Sequence, residues 1–186
     1  MRFLFTGGVG AALLGLSIIA EPASAQLAVG PITLGSPGDP ARLAFGAGAF
    51  DVTPARRRGA ETAAEGRIEY RFGDVMPVLS PFIGVSGTSD GAFYGFGGFG
   101  MDINFSPNLV LTPNAAVGYF AKGGGTNLGS AIEFRTGAEL AYRFADYSRL
   151  GIAVTHTSNA GIGKLNPGEQ SVLLMYSMPF ALGAWR

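Results

Sequence analysis

From Glu65 to Phe72 the chain reads Glu65-Gly66-Arg67-Ile68-Glu69-Tyr70-Arg71-Phe72, with every charge at an odd position and every large apolar side chain at an even one. Ala131 to Phe144 repeats the arrangement: Glu133, Arg135, Glu139 and Arg143 share one parity, and Ile132, Phe134, Leu140, Tyr142 and Phe144 the other. Only an extended strand alternates its side chains in this way; a helix would scatter both sets around its circumference. Both stretches therefore predict strands with one ionic and one apolar face. Six segments with weaker alternation bring the count to eight: Leu43–Val52, Leu79–Thr88, Ala92–Phe105, Leu109–Ala121, Ser148–Ser158 and Gln170–Leu182. The connections Ser106-Pro107-Asn108 and Ala145-Asp146-Tyr147 are short, whereas Thr53–Thr62, Lys122–Gly129 and Asn159–Gly168 are longer and rich in Gly, Asn, Pro or Arg. Short turns alternating with longer loops are the habit of outer-membrane barrels. Two connections depart from it, Gly73–Val78 being long and Ser89-Asp90-Gly91 short.

Alternation alone does not say which face is inside. A soluble sandwich hides the apolar face, whereas a membrane barrel turns it to lipid and satisfies its backbone by closing the ladder. The N-terminus favours the barrel. Arg2 is followed by an almost wholly apolar run, Phe3 to Ala20, and by the small-residue site Ala23-Ser24-Ala25. Residues 1–25 thus read as a cleavable export signal, with an uncleaved membrane anchor as the competing reading. No later run is apolar and long enough to cross a bilayer as a helix. Strands of about 10 residues fit a tilted crossing of the membrane. The expected fold class is all-β, an eight-stranded antiparallel transmembrane β-barrel of the outer membrane over 43–186, preceded by a periplasmic segment, 26–42. Eight strands leave a lumen filled by side chains. Glu65, Arg67, Glu69 and Arg71 are expected to pair across it with Glu133, Arg135, Glu139 and Arg143, as structural ion pairs and not as catalytic carboxylates.

Composition removes several function classes. Thirteen Lys and Arg balance thirteen Asp and Glu, so nothing favours a nucleic acid partner. The chain has no cysteine and a single histidine. A disulfide framework, a thiolate metal site, a cysteine nucleophile and a multi-histidine metal centre are therefore excluded, and no cofactor is expected.

The seventh strand carries the chemistry. Leu150, Ile152 and Val154 share a parity that His156 and Ser158 continue. If the aliphatic residues face lipid, so do the imidazole and the hydroxyl, and polar groups kept in a bilayer are functional candidates. Spacing i, i+2 places their side-chain bases roughly 6 to 7 Å apart on one strand face. Converging from there, the imidazole can take the serine proton and make the hydroxyl a nucleophile. With an even strand number and both termini in the periplasm, the end of strand seven lies near the external rim, beside the outer leaflet.

His156-Thr157-Ser158-Asn159-Ala160-Gly161, followed by Asn166-Pro167-Gly168, resembles the H-x-S-N-A/G-G … N-x-G signature of the outer-membrane lipid A 3-O-deacylases, the PagL-like acyloxyacyl hydrolase family. The resemblance runs from about Leu43 to the C-terminus and is most specific between Leu128 and Leu182. It implies an eight-stranded barrel whose lipid-facing Ser-His-Glu triad removes the 3-linked acyl chain of lipid A without a metal. By position, His156 would be the general base and Ser158 the nucleophile, with Asn159, Gly161 and Asn166 helping to shape the oxyanion site. The triad acid departs from the pattern: the glutamate position falls on Gln170, and Glu169 stands one residue earlier. Gln170 shares parity with Val172, Leu174 and Tyr176; Glu169 would reach that face only through a bulge near Pro167-Gly168. Both remain candidates for orienting His156.

The implied partners are lipopolysaccharide as substrate and outer-membrane lipid, with the possibility of a homodimer left open. Arg56-Arg57-Arg58 in the first loop reads as a solvated charge run or as a contact for lipid A phosphates. A reading from another class is a non-catalytic small barrel, structural or adhesin-like, that keeps the motif as architecture.

Overall fold

Alternation of apolar and polar side chains persists through the three-dimensional structure, a computed structural model that describes residues 27–36, 38–53, 61–73, 76 and 78–180. The expected export signal and Arg56–Arg58 lie outside these residues. In chain order the strands are β1 (Leu27–Val29), β2 (Ile32–Leu34), β3 (Arg42–Phe50), β4 (Ala63–Arg71), β5 (Leu79–Thr88), β6 (Phe93–Met101), β7 (Ile103–Asn104), β8 (Leu109–Ala121), β9 (Ile132–Arg143), β10 (Arg149–Ser158) and β11 (Glu169–Pro179). Neighbours pair antiparallel in the order β3-β4-β5-β6-β8-β9-β10-β11, and β11 returns to β3. The ladder is closed, an eight-stranded barrel with no unpaired edge, which is what the backbone needs in hydrocarbon.

Two differences from the expected segments share one cause. Ala92–Phe105 is divided at Asp102, where the ladder with β8 keeps its register but β5 gives out and β2 takes its place beside β7. The Asp102 carbonyl accepts Gly35 N–H at 2.8 Å, and its carboxylate accepts Ser36 Oγ and Arg149 Nη2, each at 2.6 Å. The β1–β2 hairpin is thereby tied to the barrel end where β3 begins and β11 ends. Its strands are only three residues each, too short for a periodic pattern to signal them.

Large apolar side chains cover the outside, as at Ile68, Ile83, Leu140, Ile152 (56% exposed) and Leu174 (58%). The charges point inward: Glu65, Arg67, Glu69, Glu133, Arg135, Glu139 and Arg149 are all buried. This inversion selects the membrane barrel over the soluble sandwich. Phe50, Phe82, Tyr94, Phe96, Phe120 and Leu128 pack together in the lumen, and the Arg135 guanidinium sits 4.0 Å from the Phe96 ring centroid.

The ion pairs only partly follow expectation. Arg135 reaches Glu69 at 3.1 Å and Arg71 reaches Glu139 at 2.6 Å across the lumen. Arg67 instead pairs along its own strand with Glu65 at 2.8 Å. Arg143 turns to Asp39 at 3.3 Å and Asn104 at 2.7 Å, while the Glu133 carboxylate reaches none of the expected arginines within ion-pair distance. Parity specifies a face and not a height, and in tilted, staggered strands height decides which charges meet. At the β9–β10 turn, the Ser148 hydroxyl and N–H both donate to Asp146 Oδ1, which holds that carboxyl below the usual carboxylate range.

Candidate active site

Strand β10 lies between β9 and β11, with His156 opposite Thr136 on one side and Gln170 on the other. Its inward residues Arg149, Gly151, Ala153, Thr155 and Thr157 are buried, and its outward residues Leu150, Ile152, Val154 and His156 are exposed. The imidazole therefore stands on the apolar outer surface. Ser158, next on that face, is half-buried at the strand end. At the opposite end of the barrel β3 begins and β11 ends, Arg42 pairing with Pro179.

Gln170 is the residue that meets the imidazole, its Nε2 standing 3.1 Å from His156 Nδ1. Its Oε1 accepts the hydroxyl of Thr53, from the loop after β3. The bulge that would have turned Glu169 outward is absent: β10 and β11 keep one register from Arg149↔Ser177 to Thr157↔Glu169. Glu169 therefore faces the lumen, 1% exposed, and accepts Ser171 Oγ at 2.9 Å. Of the two candidates for orienting His156, only Gln170 is on its side of the sheet.

Behind the ring stands Gly168, at φ +63°. A Cβ there would fall 2.7 Å from His156 Cε1, so a side chain at this left-handed position would displace the ring. No hydrogen bond joins His156 to Ser158 among the described residues. On one strand face, staggered rotamers of the two side chains can bring them together when a substrate is seated, and unliganded catalytic pairs are often loose.

Asn159, Gly161 and Asn166 build the loop that follows. Asn159 is fully buried; its Nδ2 donates to Leu128 O at 2.9 Å and Leu165 O at 2.6 Å, and its Oδ1 accepts Gly161 N–H at 2.9 Å. Its own N–H donates to Asn166 Oδ1 at 3.1 Å. Ala160 (φ +52°) and Gly161 (φ +82°) form the tight turn closed by Ile162 N–H to Asn159 O at 3.1 Å. The Asn159 N–H and Nδ2 and the Gly161 N–H are thus engaged in holding the loop that follows β10. Ala160 N–H and Asn166 Nδ2 remain as donors without a partner among the described residues.

Sequence reasoning missed Thr53. A lone threonine in a loop carries no periodic or motif signal, and it reaches Gln170 only because β3 closes the barrel onto β11.

Chemically, the site offers a hydroxyl and an imidazole on one greasy surface, with an amide behind the imidazole. That is the minimum for attack on an ester presented by lipid. Comparison with known proteins agrees in kind. Among solved structures, one described as the crystal structure of the outer membrane enzyme PagL is 19% identical, with a TM-score of 0.63, and the match covers 75% of this chain and 99% of that one. A de novo designed transmembrane β-barrel is 17% identical at a TM-score of 0.50, covering 75% of this chain and 95% of that one. These likenesses show the barrel fold. No curated protein sequence matches. The family model described as lipid A 3-O-deacylase (PagL) matches residues 59–179, a span that takes in β4 to β11 with His156, Ser158 and Gln170. The chain belongs to the lipid A 3-O-deacylase (PagL) family.

Proposed function

We propose that this protein is an outer-membrane serine esterase that hydrolyses the 3-O-linked acyl chain of lipid A, with Ser158 as nucleophile and His156 as general base. The observation that carries the reading is the outward His156–Gln170 pair on the apolar face beside Ser158, at the barrel end opposite the start of β3 and the end of β11. With the termini in the periplasm, that end meets the outer leaflet, where lipopolysaccharide presents acyl esters laterally. Residues 1–25 serve as the export signal in this scheme.

In the first step Ser158 Oγ attacks the ester carbonyl while His156 Nε2 takes its proton. The tetrahedral oxyanion is met by donors of the β10–β11 loop, Ala160 N–H and Asn166 Nδ2 being the available ones. Collapse breaks the bond to the sugar oxygen, which receives the proton from the imidazolium and leaves as the 3-hydroxyl. Water, deprotonated by His156, then attacks the acyl-serine and releases the fatty acid, restoring Ser158. Gln170 orients the imidazole from behind; it carries no charge to offset the imidazolium.

Mass spectrometry of lipid A from cells expressing the protein tests the reading: one hydroxyacyl mass should be lost. S158A or H156A should leave a folded barrel and abolish the loss, and unchanged release from either variant rules the assignment out. The neutral residue at the acid position favours a second reading, a barrel that keeps the motif as architecture without turnover. Identical spectra under strong expression would select it.

A further inference from the structure

We infer that Thr53 is a positioning residue for the imidazole, acting through the amide of Gln170; this rests on the esterase reading above. A carboxylate behind the histidine offers an acceptor whichever oxygen faces it. An amide does not, because one end accepts and the other donates. Which end faces Nδ1 therefore sets the tautomer of the ring. With Gln170 Nε2 toward Nδ1, as in this structure, Nδ1 accepts and the ring proton sits on Nε2, where it blocks proton uptake from Ser158. With the amide turned over, Oε1 accepts Nδ1–H and the lone pair lies on Nε2, ready to act as base.

The far end of the amide needs a partner in both arrangements, and Thr53 supplies it. In this structure its hydroxyl donates to Gln170 Oε1. After the turn the same hydroxyl accepts from Nε2–H, since a hydroxyl both donates and accepts. A neutral orienter thus becomes workable: both tautomers keep their hydrogen bonds, and the reactive one is reached when the amide turns over while the exposed ring loses its Nε2 proton to water and takes one up at Nδ1.

Thr53 is held in place by its own anchor. Val52 N–H donates to Gln170 O at 2.9 Å. Asp51, fully buried at φ +56°, accepts Thr126 Oγ1 on its Oδ2 at 3.1 Å and Thr62 Oγ1 on its carbonyl at 3.0 Å. The start of the β3–β4 loop is therefore fastened to β11 and to the β8–β9 loop.

The test uses the protein folded in detergent micelles, lipid A as substrate, and ¹⁵N-histidine labelling, which reports one ring because the chain has one histidine. T53V should lower kcat about fivefold to tenfold, the worth of one hydrogen bond, with KM within about twofold of the wild type. It should also shift the Nδ1 and Nε2 resonances, and T53S should restore both readouts. In a Q170E background, where the orienter accepts from either oxygen, T53V should change kcat less than about twofold. Unchanged resonances and kcat in T53V, or an equal loss of kcat in both backgrounds, would overturn the inference. If wild type and S158A are alike inactive, the esterase reading fails on its own account, and the resonances still decide whether Thr53 acts on the ring through Gln170.

Discussion

Replacing Gln170 by glutamate should accelerate ester hydrolysis, because the neutral amide is the one component of the site that cannot stabilise the charge created in the transition state. The imidazolium forms with its Nδ1 about 3.1 Å from the Gln170 side chain. A carboxylate at that distance attracts a unit positive charge by about 5 kcal/mol at an effective dielectric of 20 and by about 1 kcal/mol in bulk water. The half-buried position on an exposed face lies between these limits, and about 1.4 to 3 kcal/mol realised in the transition state is roughly a 10- to 100-fold rise in kcat. The reverse change in a buried serine-protease triad, acid to amide, lowers turnover by about 10⁴, which sets the ceiling. The assay is the rate of fatty acid release from lipid A at saturating substrate, with unfolding in detergent as the check on the barrel. KM should stay near the wild-type value, since the interaction exists only once the ring is charged. A folded Q170E variant that turns over no faster than the wild type would refute this account of the site.

G168A should cut kcat at least about tenfold, because the added Cβ falls on the imidazole and the left-handed backbone strains by about 1 kcal/mol or more; melting curves and fatty acid release separate the two effects. N159A removes a buried amide from Leu128 O and Leu165 O, and should destabilise the loop pair by about 2 kcal/mol, read as faster tryptic cleavage after Lys164 with the barrel intact. R135M takes a buried cation from Glu69 and from the Phe96 ring and should lower barrel stability by about 3 kcal/mol in denaturant titration while leaving the outward site active. Swapping Glu169 for glutamine should change turnover less than about twofold, since that side chain faces the lumen; a loss as large as that of H156A would contradict the register of β10 and β11.

Much of the fold was legible in the residues because strand parity is a local property. Glu65–Phe72 and Ala131–Phe144 alternate on their own, and the other six segments end within a few residues of the observed strands wherever these are described. His156 and Ser158 were likewise placed on one face by counting from Leu150. Partners across the barrel were not legible. Arg143 was expected to face the charges of β4 and instead meets Asp39 and Asn104 at the terminal end, because strand tilt sets height and parity does not.

By itself, then, the sequence determined that eight amphipathic strands exist, which residues share each face, and that a histidine, a serine and either Glu169 or Gln170 gather near one strand end. Tertiary structure alone decided the rest. An unbroken register between β10 and β11 sends Glu169 to the lumen and leaves Gln170 beside the imidazole. Closure of β3 onto β11 then carries Thr53 to the far side of that amide, 117 positions away along the chain. Periodicity is written into each strand separately, whereas register and closure arise only when all the strands pair, and it is there that the surroundings of the histidine are set.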